Sequence, residues 1–550
     1  MKLIDLIQKI TMLALMVFVL CGCGDAESNG NSDSGTSIDA GNIEDAASEG
    51  GADTGSDSDT DSDTDSDSDA GHDAGYDPYY EWHAFFGSAD DDDGRAVAFD
   101  DEGYIYVLGQ SDGSWTGPFG EQPLNDHNGG LEQDTDYNVF LIKMDQNGTY
   151  QWHTFYDGYA QDIVVDSSGN IYVIGLSAAA WTGPSGEQPL NEFQGSEIQF
   201  TTFVLKLSAN GEYVWHTFYE SEANAMVIDD EGSVYITGEA GKTWTGPSGE
   251  SPLNEPDSHG IYVLKLATDG AYEWHTFYGS ESVNMGTGIA INSNGFIYIS
   301  GFSQRSWNGS GGELPLNEHN NLSGNGFLLK LDSTGEYVWH TFYGLSDLGN
   351  YHHEVSLDIN DNVYLLGSSW SSWDGPSGEQ PLNEFSEDSE DDEPMQVIKP
   401  ELVLNKLDTD GAYVWHTFYG SSEIDTGYGI TITDKGDVYI TGSSYATWKG
   451  ASGESPLHGH SGNENDDIFI LKIDSSGSYG WHTFYGYNLA EKYGDIDIAF
   501  GVTADGAGNI YTVGNSQNSW NGPTGEGPIY EFDESNWGGR SDIFILKLSE

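Results

Sequence analysis

Seven tryptophans recur at equivalent places in this 550-residue chain: Trp115, Trp181, Trp244, Trp307, Trp373, Trp448 and Trp520. The broad apolar face of an indole can stack on a sugar ring, so this set is a candidate ligand-binding surface. The same residues could instead fill the gap between repeated units. The fixed Gly-Pro and Pro-Leu around each favour packing. A second series, His83, His153, His216, His275, His340, His416 and His482, follows a Trp each time. Metal ligands must converge on one ion, and residues that radiate apart once per unit do not, so a structural role is expected. Asp90, Asp91, Asp92 and Asp93 offer the several carboxylate oxygens that Ca2+ takes. They are the candidate metal site, with Ca2+ the one cofactor in view, against the plainer reading of a solvated acidic loop. The adjacent His352 and His353 stray from the repeat and are a second metal candidate, set against an ordinary loop.

One Lys and one Glu also recur per unit, from Lys143 and Glu121 through to Lys547 and Glu526. A Lys between apolar neighbours must find a partner or reach water. The expectation is a Lys–Glu pair in every unit, locking a loop to the sheet. There is no HExxH and no phosphate loop. Carboxylates are everywhere, so a pair of acids able to hydrolyse glycosides is the enzymatic alternative.

These residues belong to a unit that repeats seven times. Trp-His returns at Trp82, Trp152, Trp215, Trp274, Trp339, Trp415 and Trp481, at intervals of 59 to 76 residues. A period of this kind decides the architecture. In the second unit, Tyr150–Tyr156 alternates as a strand does, and Asp162–Val165 is a short apolar run. Asn170–Gly175 and Phe203–Leu207 read as two further strands. Turns at Asp166-Ser-Ser-Gly169 and Ser208-Ala-Asn-Gly211 supply Gly where positive φ is needed. No segment keeps a helical period. Four short strands repeated seven times predict an all-β, seven-bladed propeller, with strands A to D running from the axis outward. Strand A falls near Ala96, Ile163, Met226, Ile289, Val355, Ile430 and Val502.

YYEWHAFFG is a D strand with no A, B or C before it, and FILKLSE is a C strand with no D after it. Pairing the two closes the ring and removes an open edge. The D–A and B–C connections share one face and are long and uneven, so any binding site is expected there.

GYGITITDKGDVYITGSSYATW followed by DIFILKIDSSGSYGWHTFYG resembles the bacterial SBBP beta-propeller repeat, and the likeness extends over all seven units, roughly residues 78–550. The resemblance implies a propeller in an extracytoplasmic setting and no particular activity. The chain departs from it in the longer GPxGExPLN segment after the loop Trp.

The front of the chain reads differently. Lys2 and Lys9 precede an apolar run, Ile10–Leu20, too short to cross a bilayer as a helix. It ends in Leu20-Cys21-Gly22-Cys23, which resembles the lipobox of bacterial lipoproteins. That implies a signal peptide at 1–22 and lipidation of Cys23; an ordinary cleaved signal is the alternative. Gly24, in place of Asp, favours an outer membrane. Residues 23–76 are Asp-, Ser- and Gly-rich and read as a disordered acidic tether. Residues 77–550 form the propeller.

The chain carries −74. From residue 78 onward 73 acidic residues face 15 basic ones, a charge near −58. Such a surface opposes nucleic acid and anionic membrane. The expected protein is therefore exported and lipid-anchored at the cell surface, a monomer touching the membrane only through its anchor. It presents a non-catalytic binding or scaffold module to an extracellular protein or polysaccharide. A polysaccharide-active hydrolase or lyase is the alternative.

Overall fold

The computed structural model describes residues 78–128, 137–194, 200–255, 260–319, 324–344, 350–386, 399–462, 466–487, 496–532 and 540–550. The signal, Cys23 and tether expectations lie outside them. The described residues contain 28 strands and no helix. They make seven four-stranded antiparallel sheets. Blade 2 is typical, with strand A at Tyr159–Val165, B at Ile171–Ser177, C at Thr201–Leu207 and D at Tyr213–Tyr219.

The blade that closes the ring is made from both ends of the propeller. Tyr79–Phe86 pairs antiparallel with Asp542–Ser549, from Tyr79 opposite Ser549 to Phe86 opposite Ile543. His83, Phe85 and Phe86 are buried in that pairing, so the closure carries core packing as well as backbone bonds.

Strand A is longer than the sequence pattern suggests, and the reason is local. Each A strand contains a register shift against strand B, for example between Ala160 and Asp162 and between Gly427 and Gly429. An extra residue bulges out, breaks the two-residue alternation and re-aims its side chain. The B-strand glycine opposite makes room for it. A Cβ on Gly175 or Gly442 would fall well inside contact distance of the Tyr159 or Thr426 carbonyl and of a Phe ring. Interior strand glycines often mark such a close approach.

The GPxGExPLN segment is not an open loop on one face, as its length suggests. The Leu124 amide donates to the His153 carbonyl and the Phe155 amide to the Asn125 carbonyl; the same pair of bonds recurs at Leu190 and Asn191, and at Leu382 and Asn383. The segment thus runs beside strand D and covers its otherwise unpaired edge, the part of a sheet most prone to pair with another chain.

Candidate binding site

The repeated Trp and His form one buried unit per blade. Each His ring stacks on the loop Trp of its own blade, with centroids 3.8–4.1 Å apart. Its Nε2 lies 2.9–3.2 Å from that Trp's carbonyl oxygen. A carbonyl only accepts, so Nε2 carries the proton and Nδ1 is left to accept. It does so from a Tyr hydroxyl three residues earlier, at 2.5–2.9 Å. Both nitrogens are thus committed to the neutral ring. Burial lowers the pKa of His153, His216 and His482 to about 4.

The loop Trp rings are 4–8 % exposed. One face is taken by His, and Phe155 or its equivalent meets the pair edge-on. Across most seams a Tyr from the preceding blade packs against the ring, as Tyr156 does at 5.9 Å from Trp181. The seven rings sit in separate seams and do not come together.

The four aspartates separate too. Asp92 and Asp93 open strand A of blade 1, Asp92–Phe99, and are not in a loop. Asp92 is fully buried and accepts from the Ser88 amide and hydroxyl at 2.6 and 2.9 Å. Burial, reinforced by Asp542, holds its carboxyl above the usual range. Asp93 accepts from Asn515 Nδ2 at 2.8 Å and Gln110 Nε2 at 3.2 Å. Asp90 pairs with Arg540, and the Asp91 carbonyl accepts from the Asp112 amide. Among the described residues no group of three His, Cys, Asp or Glu is placed to hold a metal ion. His352 and His353 also lie in a strand A, Asn350–Leu357, and not in a loop. The His353 ring, pushed down to about 4 by burial, meets Ser368 Oγ at 3.0 Å.

The expected Lys–Glu pair does not form. Lys206 Nζ reaches the Thr268 carbonyl at 2.9 Å and Tyr172 Oη at 2.6 Å. Lys143, Lys330, Lys406 and Lys547 likewise bond carbonyls in the C–D turn of the next blade, at 2.8–3.1 Å. Lys265 pairs with Glu273 and Lys472 with Glu550. Glu187 instead accepts from the Ser185 amide at 2.9 Å within its own tight turn. The Lys stands near the C–D end of its strand and is drawn to the seam, so it staples blade to blade.

What sequence reasoning missed is the bulge itself. The residue it pushes out is Arg95, Gln161, Asn224, Thr287, His353, Tyr428 and Phe500 in blades 1 to 7. Neighbouring A strands touch all the way round, so they form the innermost ring. Side chains from consecutive blades meet on it. His353 lies 6.0 Å from Tyr428, Tyr428 lies 5.1 Å from Phe500, and the Arg95 guanidinium sits 5.0 Å over the Phe500 ring. All seven are half-buried.

The next residue along is Ala or Gly in five blades but Asp162 in blade 2 and Glu354 in blade 5. Each reaches the following blade's A strand. Asp162 Oδ2 accepts from the Met226 amide at 2.8 Å, and Glu354 Oε2 from the Ile430 amide at 2.9 Å. Burial raises Asp162 to about 6. Burial, with a contribution from the Asp162 charge, raises Glu354 to about 8. A cleft of about 460 Å3 on the D–A side of blade 3 is a further concavity, lined by Glu222, Glu239 and Lys242 among others. Burial and the facing Glu222 push Glu239 to about 7.

Residues 81–114 match the SBBP beta-propeller repeat. That stretch covers strand D of the closing blade and strands A and B of blade 1. No curated protein sequence matches the chain. Among solved structures the chain is similar to BamB from Moraxella catarrhalis, at 10 % identity and a TM-score of 0.38, over 86 % of this chain and 100 % of that one. A virginiamycin B lyase from Staphylococcus aureus gives 10 %, 0.38, 85 % and 99 %. A polysaccharide lyase, an ulvan lyase, gives 9 %, 0.39, 78 % and 92 %. Likeness at this level assigns no activity.

Proposed function

We propose that the protein is a non-catalytic binding module displayed outside the cell, anchored through lipidated Cys23 and held off the membrane by the acidic tether, and that its ligand is an extracellular glycan. One observation carries the binding reading. The seven blades repeat almost every packing residue, yet at the bulge, in one backbone geometry, they place seven different polar or aromatic side chains. Packing alone asks for the same residue each time, as at the Trp, His and Lys positions. A rigid scaffold whose side chains differ from blade to blade where they meet around its axis is suited to recognising something asymmetric. The charge near −58 argues against nucleic acid as that ligand. A glycan array probed with the full exported chain tests the reading. Binding to a defined glycan without its turnover supports it, and absence of binding to every glycan on the array refutes it. Labelling with radioactive palmitate, lost in Cys23→Ser, tests the anchor.

A polysaccharide hydrolase has one observation in its favour. Two carboxyls, Asp162 and Glu354, stand one residue past the bulge on strand A of blades 2 and 5, and burial raises both, Asp162 to about 6 and Glu354 to about 8, the kind of offset that acid–base chemistry uses. Turnover of a bound polysaccharide, abolished in Glu354→Gln, would establish it.

A further inference from the structure

We propose that the axial ring of bulge residues is the binding site, and that it takes a neutral glycosyl residue. The inference rests on the glycan-binding reading above and gives it a place and a chemistry. The ring is two-sided. Blades 5, 6 and 7 present His353, Tyr428 and Phe500 in one continuous aromatic arc. Blades 2, 3 and 4 present Gln161, Asn224 and Thr287, two amides and a hydroxyl, and Asn224 Nδ2 also donates to the Gly286 carbonyl at 2.8 Å. A pyranose has the same two-sided character. Its C–H face packs on aromatic rings and its hydroxyls need partners that both donate and accept, as amides and hydroxyls do.

Two further features select a neutral sugar. The single cation of the ring, Arg95, is already engaged, lying over Phe500 and 3.6 Å from Asp93. Asp162, one residue further along strand A in blade 2, adds a carboxylate that would oppose a uronate. The outer tryptophans, by contrast, are buried, one face stacked on His and the pair flanked edge-on by Phe. The axis rather than the rim is therefore where an aromatic surface remains partly exposed.

The test uses the full exported chain and a panel of methyl glycosides: glucoside, galactoside, mannoside, N-acetylglucosaminide and, as the charged member, glucuronide. Saturation-transfer NMR and calorimetric titration read binding. We expect at least one neutral glycoside to bind, the glucuronide to bind at least tenfold more weakly, and Phe500→Ala and Asn224→Ala each to raise Kd at least tenfold. Their melting temperatures should stay near wild type, and Leu190→Ala on the rim should bind as wild type does. Should Phe500→Ala fold poorly, Tyr428→Ala and Gln161→Ala give the same readout. Undiminished neutral-sugar binding in the folded axial variants would overturn the axial site and leave the glycan reading standing. Preferential binding of the glucuronide would overturn the neutral-sugar assignment. No binding to any glycoside here or any glycan on the array would overturn both.

Discussion

Replacing His216 with Phe separates two contributions of the buried stack and measures each. The substitution keeps an aromatic ring against Trp181 but removes both hydrogen bonds. The Trp181 carbonyl and the Tyr213 hydroxyl, partners at 3.1 and 2.7 Å, are left without their histidine. A buried polar group stripped of its partner costs about 1–3 kcal/mol, so the variant should lose roughly 2–4 kcal/mol at pH 7.5.

The pH dependence is the sharper part. In the folded chain burial lowers His216 from 6.5 to about 4, so on acidification the unfolded chain takes up the proton first. The contribution is fully present above pH 6.5, erodes as pH falls, and is gone below about 4. At 1.36 kcal/mol per pKa unit the whole effect is about 3 kcal/mol, and about 2 kcal/mol of it is lost between pH 7.5 and 5. Phe does not titrate, so the stability difference between the two proteins isolates this one group. Urea unfolding followed by tryptophan fluorescence at pH 7.5, 6.5, 5.75 and 5 reads it. A gap that narrows by about 2 kcal/mol is expected. A gap that stays constant, or widens toward pH 5, would show that His216 is not held neutral by burial.

Other outcomes follow from the same geometry. Gly442→Ala drives a methyl into the Thr426 carbonyl and the Phe469 ring; an overpacking loss of about 1–3 kcal/mol is expected, with exchange protection falling in Asp425–Ile432, and unchanged stability would mean the bulge does not need its glycine. Lys206→Met strands the Thr268 carbonyl and should lower the melting temperature, whereas Glu187→Gln should raise amide exchange only in the Ser185–Glu187 turn; the reverse ranking would restore the Lys–Glu pair. Deleting Tyr79–Phe86 bares the edge of Asp542–Ser549, so the shortened chain should self-associate in sedimentation, and a synthetic peptide of that strand should restore the monomer; a deletion that stays monomeric and fully stable would deny the closure.

The ring closure was legible because it needs only counting. A D strand without its own C and a C strand without its own D have one economical partner, and Tyr79–Phe86 and Asp542–Ser549 take it. Side-chain destinations were less legible. Lys206 and Glu187 recur with equal regularity, but spacing along the chain does not say which end of a strand each stands at, and the Lys found the neighbouring blade's turn. The Asp90–Asp93 run looks like a cluster in one dimension, yet strand geometry and different partners split its side chains. The axial ring was hidden because a bulge interrupts alternation, so the apolar run was read from Asp162 while the strand begins at Tyr159. Its signal was present in the recurring interior glycine, Gly175 or Gly442, and in a strand-A position that differs in every unit while its neighbours are Ala or Gly in most.

A crystal structure of the full chain, soaked with the neutral oligosaccharide that gives the strongest array signal, tests the central claim most directly. We expect sugar density on the propeller axis, one ring against Tyr428 and Phe500 and its hydroxyls toward Asn224 and Gln161. Density stacked on the rim beside Trp181 and its equivalents, with an empty axis, would contradict it.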